Sequence, residues 1–292
     1  MHKAGFVNII GNPNVGKSTL MNKLVGEKLS IITSKSQTTR HRIMGIVTGE
    51  DFQIVYSDTP GIIEPKYKLQ ESMMKFVQSA LIDADIILYV TDMIESIDKN
   101  MHYIERIQKS KLPVILIVNK IDLSNQEAVM ARILEWRVIF PDATILPVAA
   151  RENFNVEAVL DRIIQLLPEN PPFYGEDELT DRTERFFVSE IIREKILMNY
   201  DKEIPYSTEI EIEEFIEEGN LLRIRAIIHV TRDSQKGIII GHQGSMLKKT
   251  GRMARLDMES FFGKKVFLET YVKVNKEWRE NPAQLKRFGY EG

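Results

Sequence analysis

Short apolar runs mark the first half of the chain. Phe6–Ile10, Phe52–Tyr56, Ile86–Val90, Val114–Val118 and Ile145–Val148 are each of strand length. Between them, Leu69–Leu81 and Gln126–Phe140 carry apolar residues at helical spacing. This alternation predicts βαβ units and a mostly parallel sheet, with ligands at the C-terminal ends of the strands. The second half is patterned differently. Glu184–Tyr200 places Phe187, Ile191, Ile192 and Ile196 on one helical face. Thr208–Ile216 alternates acid and apolar residues, the period of a half-buried strand. Leu222–Val230 does likewise with Arg223 and Arg225 on its exposed face, so charges should pair across the two strands. The run Gly237–Ile240 ends in a glycine turn and a long helix, and Val266–Val274 reads as a third strand. The expected order here is helix, two strands, helix, helix, strand. Between the halves lies LPENPPFYGEDELTD, Leu167–Asp181, with Pro168, Pro171 and Pro172 to stiffen it. The expected organisation is a domain over 1–170, a Pro-rich linker over 171–182 and a second domain over 183–292.

Composition narrows the chemistry. The 292 residues are 43% hydrophobic and 28% charged, which suits two globular domains. Cysteine is absent, which removes disulfides, thiolate metal sites and cysteine nucleophiles and fits a reducing cytosol. The opening MHKAGFVNIIG is too short in apolar residues for a signal peptide, and no run approaches the ~20 residues that cross a bilayer. The net charge of −3 does not announce a nucleic-acid partner, so any such surface must be local.

Three motifs follow three of the predicted strands. The first is GNPNVGKS: Gly11, Asn12, Pro13, Asn14, Val15, Gly16, Lys17 and Ser18. It matches G-x-x-x-x-G-K-[ST] in full, between a strand and a helix. Its glycines let backbone N–H groups turn toward phosphate, Lys17 can reach the outer phosphates, and the Ser18 hydroxyl can ligate Mg²⁺. The second is DTPG: Asp58, Thr59, Pro60 and Gly61. Asp58 is placed to hold Mg²⁺ through water, and the Gly61 N–H to meet a terminal phosphate. The third is NKID: Asn119, Lys120, Ile121 and Asp122. A carboxylate accepts two hydrogen bonds from the N1–H and exocyclic amine of guanine, a donor pair that adenine lacks, and the Lys120 stem can pack over the base.

In this order the motifs resemble a translation-factor-type GTPase domain, an α/β P-loop fold. With QTTRHR at Gln37–Arg42 the resemblance narrows to the Era family. It implies that Thr39, with Thr38 as the alternative, binds Mg²⁺ and senses the γ-phosphate. The guanine-side loop is usually a Ser-Ala pair. Here it reads PVAA, so Ala149 and Ala150 keep the backbone N–H contact and lose the serine hydroxyl. Where Ras-type enzymes carry a water-orienting glutamine, this chain has Ile62, so intrinsic turnover is expected to be slow or the water to be oriented by another group. Asn14 sits where potassium-activated relatives ligate K⁺, an ion that would act as an arginine finger does. The alternative is an asparagine that merely stabilises the loop. Lys17, Thr39, Gly61 and Asn14 are thus the expected catalytic set.

The second half resembles a type II KH domain, an α+β fold whose G-x-x-G turn clamps a nucleic-acid backbone. Here the turn is Gly241, His242, Gln243 and Gly244, followed by Lys248, Lys249 and Arg252. Between 232 and 273 there are nine basic residues against four acidic ones, the local surplus a phosphate backbone requires. The Era resemblance covers nearly the whole chain. It implies a monomeric GTP/GDP-binding protein that engages the 3′ end of small-subunit ribosomal RNA during assembly of that subunit, in the cytoplasm, with loose membrane association at most. Two other readings stay open: an RNA-binding scaffold that nucleotide only stabilises, and a signalling or cell-cycle GTPase of the same class.

Overall fold

The computed structural model describes residues 1–290. They form two compact units, the first made of Met1–Lys66 and Gln70–Asp181, the second of the residues from Arg182 onward together with Tyr67–Leu69. The chain of the first unit runs β1 (Lys3–Gly11), α1 (Lys17–Val25), β2 (Ile43–Thr48), β3 (Phe52–Asp58), α2 (Lys68–Ile82), β4 (Ile86–Asp92), α3 (Met101–Ser110), β5 (Val114–Asn119), α4 (Gln126–Ile139), β6 (Thr144–Pro147) and α5 (Val156–Leu166). The sheet order is β2-β3-β1-β4-β5-β6, parallel except for the β2–β3 pair. The centre of the sheet is apolar throughout: every residue of β4 is buried, the mark of a strand covered on both faces. From β1 the chain moves to one side to make β3 and then crosses to the other to make β4. That reversal opens a crevice at the C-terminal end of β1, and the phosphate-loop motif lies there.

The sequence reading missed β2. It is an edge strand antiparallel to β3, and its six residues carry only a half-buried pattern. The Pro-rich segment expected to span two domains has no regular structure, but it is fastened to this edge. The backbone N–H groups of Phe173 and Tyr174 donate to Gln53 Oε1, Ile46 N–H donates to the Leu179 carbonyl, and Thr180 Oγ1 donates to the Met44 carbonyl.

The second unit runs α6 (Glu184–Asn199), β7 (Glu209–Glu218), β8 (Leu221–Val230), α7 (Asp233–Ile240), α8 (Ser245–Phe262), β9 (Lys265–Val274) and α9 (Pro282–Arg287). Its sheet order is β7-β8-β9, with β7 antiparallel and β9 parallel to β8. Ile192, Ile196, Ile224, Ile228, Ala254 and Met258 sit at the centre of its core. The expected cross-strand pairing is present: Arg225 Nη1 lies 2.6 Å from Glu214 Oε1, and Arg223 Nε lies 2.7 Å from Glu218 Oε2.

The simple alternation expected along Thr208–Ile216 is corrected in two places. A register shift between Ile212 and Glu214 exchanges the faces, so Phe215 packs on the core and Ile216 is exposed. Glu209 is buried rather than solvated, because the tail after β9 folds back and the Tyr290 hydroxyl donates to Glu209 Oε2 at 2.6 Å. The same tail buries Trp278, whose Nε1–H donates to the Ser207 carbonyl at 3.1 Å.

Candidate functional site: a phosphate loop and a basic turn

The loop between β1 and α1 wraps a cleft lined by Gly16, Lys17, Ser18, Thr39, Gly61 and Lys120, among others. Gly16 has φ 100°, and a Cβ there would stand 2.1 Å from Asn119 Nδ2. A side chain at this position is therefore strained by its backbone and blocked by the Asn119 amide. Lys17 is buried, with Nζ donating to the Gly11 carbonyl at 3.1 Å and the Asn12 carbonyl at 2.9 Å. Burial lowers its pKa to about 8, against the opposing pull of Asp58 and Glu95. A polyphosphate would supply the negative charge that this desolvated ammonium lacks.

Ser18 Oγ donates to Asp58 Oδ2 at 2.6 Å and lies 2.9 Å from Thr39 Oγ1, which in turn lies 3.3 Å from Asp58 Oδ2. Thr38 is elsewhere: its hydroxyl lies 2.7 Å from Thr33 Oγ1 and donates to the Lys35 carbonyl at 2.6 Å. Burial raises the Asp58 pKa, although Lys17 and the surrounding hydroxyls oppose it, and Oδ1 is a buried acceptor without a hydrogen-bond partner. Two hydroxyls and a carboxylate with a spare lone pair form a hard oxygen donor set. That set fits Mg²⁺ with phosphate oxygens completing its shell. Among the described residues no three His, Cys, Asp or Glu side chains gather as a protein-only metal cage. Gly61 closes the cleft opposite: a Cβ there would come within 2.7 Å of the Pro13 backbone. Ile62, next in sequence, is 1% exposed, and its N–H donates to the Gly11 carbonyl at 3.1 Å. It packs and cannot orient water.

On the base side, Asn119 ties three segments together. Its Nδ2 donates to the Val15 carbonyl at 2.8 Å, and its Oδ1 accepts from the Ala150 N–H at 3.0 Å. The Ala149 N–H donates to the Phe154 carbonyl at 3.3 Å. Both backbone donors expected to face the base thus have partners within the chain. Lys120, at φ 59°, sends Nζ to the Asn14 carbonyl at 2.5 Å and to Asp92 Oδ2 at 2.7 Å, so its stem spans from loop to loop. Burial pushes the Asp92 pKa up, but hydrogen bonds from Lys120 and from the N–H groups of Glu95 and Ile94 outweigh it and leave the carboxyl below its usual range. Asp122 is exposed in a short turn, Ile121–Leu123. Asn14 is exposed at φ 65°, and its Nδ2 donates to the Ser34 carbonyl at 3.1 Å.

Sequence reasoning passed over Asp92 and Arg151. Asp92 ends β4, and the C-terminal end of a sheet strand is where a ligand-facing carboxylate is expected. Arg151 lines the cleft directly after the Ala149–Ala150 pair.

The second turn is open. His242 and Gln243 are exposed, Gln243 at φ 50°, and the turn feeds straight into α8. At Gly241, with φ 70° and ψ 175°, a Cβ would meet Met246 Cγ at 2.7 Å. Gly244 has φ 77° but nothing within 4 Å of a Cβ. Lys248, Lys249 and Arg252 are exposed along α8 and share a shallow concavity with Ser245, Met253 and Leu256.

The family described as "50S ribosome-binding GTPase" matches residues 6–120, and the KH domain family matches residues 203–279. GTPase Era of Staphylococcus haemolyticus is 44% identical over 291 residues, covering 99% of this chain and 97% of that protein. GTPase Era of Clostridium kluyveri is 45% identical and covers both proteins completely. A crystal structure of Era in complex with MgGDPNP and nucleotides 1506–1542 of 16S ribosomal RNA is 38% identical, with a TM-score of 0.96 over 100% of both chains. An Aquifex aeolicus Era variant bound to GDP·AlF4⁻ has a TM-score of 0.95 at 38% identity and covers 99% of this chain and 100% of that one. The order of the motifs, the two folds and full-length identity of this level agree: this chain belongs to the Era family of GTPases.

Proposed function

We propose that this chain hydrolyses GTP as a switch and binds the single-stranded 3′ end of small-subunit ribosomal RNA, assisting assembly of that subunit. The G domain is taken as 1–170 and the KH domain as 183–292, joined through 171–182. One observation carries the reading. A buried phosphate loop with Ser18, Thr39 and Asp58 gathered beside it shares a chain with an exposed glycine turn that opens a basic helix. A relative with both features binds MgGDPNP and 16S ribosomal RNA together.

In this reading Gly11–Ser18 cradles the phosphates, Lys17 neutralises them, and Asp122 reads guanine from the turn after β5. Thr39 closes over Ser18 and Asp58 when the terminal phosphate is present, and the Gly61 N–H donates to that phosphate. Mg²⁺, held by Ser18 and Thr39 and through water by Asp58, would neutralise charge on the outer phosphate oxygens. With Ile62 buried, no side chain next to Gly61 orients the attacking water, so slow intrinsic turnover is expected. The RNA backbone would run over Gly241–Gly244 toward Lys248, Lys249 and Arg252. No helix among the described residues is long and apolar enough to cross a membrane, and we place the protein in the cytoplasm.

The test is RNA affinity measured with GDP and with a non-hydrolysable GTP analogue. Different affinities support the switch, whereas equal ones favour a scaffold that nucleotide merely stabilises. RNA crosslinked to the protein in cells identifies the target directly.

A further inference from the structure

Beyond the end of β4 lies a chain of polar contacts that the nucleotide motifs do not account for. The Glu95 carboxylate accepts from Thr91 Oγ1 at 2.7 Å and from Asn12 Nδ2 at 2.8 Å. Asn12 Oδ1 accepts from Asn100 Nδ2 at 2.6 Å, and the same amide group donates to the Ile62 carbonyl at 3.3 Å. Since the Ile62 N–H donates to the Gly11 carbonyl, the peptides flanking Ile62 are held on both sides. The direction of the chain is fixed by chemistry. A carboxylate stands at one end and a carbonyl at the other, and both can only accept, so Asn12 must turn its N–H group to Glu95 and Asn100 must donate both to Asn12 Oδ1 and to the Ile62 carbonyl.

Asn100 takes up this role against its usual habit. It precedes α3 as the N-cap, where an asparagine side chain normally accepts from the first-turn N–H groups. It makes no such bond and sits at φ 59° and ψ 38°. The left-handed conformation is one that asparagine tolerates better than most residues. Its amide serves the phosphate loop and the Asp58–Gly61 turn instead of its own helix.

We propose that Asn100 is a positioning residue for GTP hydrolysis. Through Asn12 and the Ile62 carbonyl it holds the Asp58–Gly61 turn against the phosphate loop while Thr39 lies beside Ser18 and Asp58. The inference rests on the GTPase reading above. Gly61, whose N–H would meet the terminal phosphate, directly precedes the held residue. GTP needs that closed arrangement and GDP does not, so losing the latch should act on the two nucleotides unequally.

Asn100→Asp tests this. Aspartate is nearly the same size, accepts the left-handed backbone and caps helices well, but its carboxylate cannot donate to Ile62 or Asn12. Turnover at saturating GTP should drop about tenfold, and affinity for a non-hydrolysable GTP analogue should drop about fivefold relative to GDP. GDP affinity and the unfolding temperature should stay native-like. Combining Asn100→Asp with Asn12→Ala should cost less than the sum of the single losses. Unchanged turnover and an unchanged nucleotide ratio would overturn the role. So would equal loss of both nucleotides with a lower unfolding temperature, since that is what a purely structural residue would do. Additive losses would overturn the route through Asn12. A native protein that bound neither nucleotide would instead defeat the GTPase reading itself.

Discussion

The two glycine turns of this protein use one device at opposite depths. In Gly11–Ser18 the lysine is 6% exposed, its ammonium is satisfied by loop carbonyls, and burial brings its pKa down to about 8. In Gly241–Gly244 the central residues and the lysines that follow are exposed. Charges in a desolvated site act strongly over a short range and are little screened by salt. Exposed charges act weakly one by one, add up along a polyanion, and fade as salt rises. A small triphosphate needs the first arrangement, because few contacts must do much. A single RNA strand suits the second, because many phosphates share the load. With GTP at the first turn and RNA at the second, as proposed, depth would separate a nucleotide pocket from a nucleic-acid surface where the glycine pattern alone does not.

The largest effect is expected at the base. Asp122→Asn replaces the proposed acceptor for guanine's two N–H donors with an amide suited to xanthine. GTP affinity should fall by about 10³-fold or more, with XTP binding gained, because a donor pair left unmet in a recognition site is heavily penalised. Competition titrations with the two nucleotides check this. Unchanged GTP affinity would mean that NKID does not read the base.

At the open turn, replacing His242 and Gln243 with two aspartates keeps both glycines and adds negative charge where the RNA backbone would pass. RNA affinity should fall about 10²-fold at low salt and less as salt screens the repulsion, while GTP binding stays native-like. Native RNA affinity in that variant would reduce the turn to a helix entry and move the RNA surface, with Arg223 and Arg225 as the next candidates.

The first turn has an ion question of its own. If Asn14 ligates K⁺, turnover should be about tenfold faster in potassium than in sodium, and Asn14→Ala should erase the difference. Equal rates in both salts for the native protein would leave Asn14 as the loop brace that its bond to the Ser34 carbonyl already describes.

How far these features were legible follows from how each is encoded. The phosphate loop, DTPG, NKID and the G-x-x-G turn are contiguous, so their residue types and order could be read directly. The buried strands were equally plain, since a strand covered on both faces is a solid apolar run. β2 was hidden because an edge strand needs no such run, and the bulge at Ile212–Glu214 because period two gives no notice of an extra residue. Which of Thr38 and Thr39 lies beside Asp58 needed coordinates, since adjacent residues point differently. The link from Asn12 to Glu95 and Asn100 joins positions 83 and 88 residues apart, and no local pattern signals it.

Within the second turn the two glycines themselves should differ. Gly241 is fixed twice, by a φ/ψ region nearly closed to other residues and by Met246 at 2.7 Å from any Cβ. Gly241→Ala should therefore destabilise the KH domain by about 2–3 kcal/mol. Gly244→Ala meets open space and only a left-handed backbone, so it should cost about 1 kcal/mol. Chemical denaturation of both variants checks the order, and equal costs would mean that neither the backbone region nor Met246 adds to the penalty at Gly241.

The smallest expected effect is the most specific to the open surface. Lys248 stands on α8, exposed, one turn into the helix that the glycine turn opens. If its ammonium meets one phosphate, Lys248→Ala removes a single counterion-releasing contact. RNA affinity should weaken only a few-fold, and the slope of log affinity against log salt should shrink by ~1. The loss should be the same for different RNA sequences, because a phosphate contact carries no base information. The parallel change in the buried turn, Lys17→Ala, should behave differently: a large loss of nucleotide affinity with little dependence on salt, since the desolvated pair is poorly screened. Titrating RNA against Lys248→Ala and nucleotide against Lys17→Ala over the same salt series sets the two turns side by side. If both losses followed salt with the same slope, depth would not be what distinguishes them, and the phosphate loop would have to be as open to solvent in solution as the KH turn is.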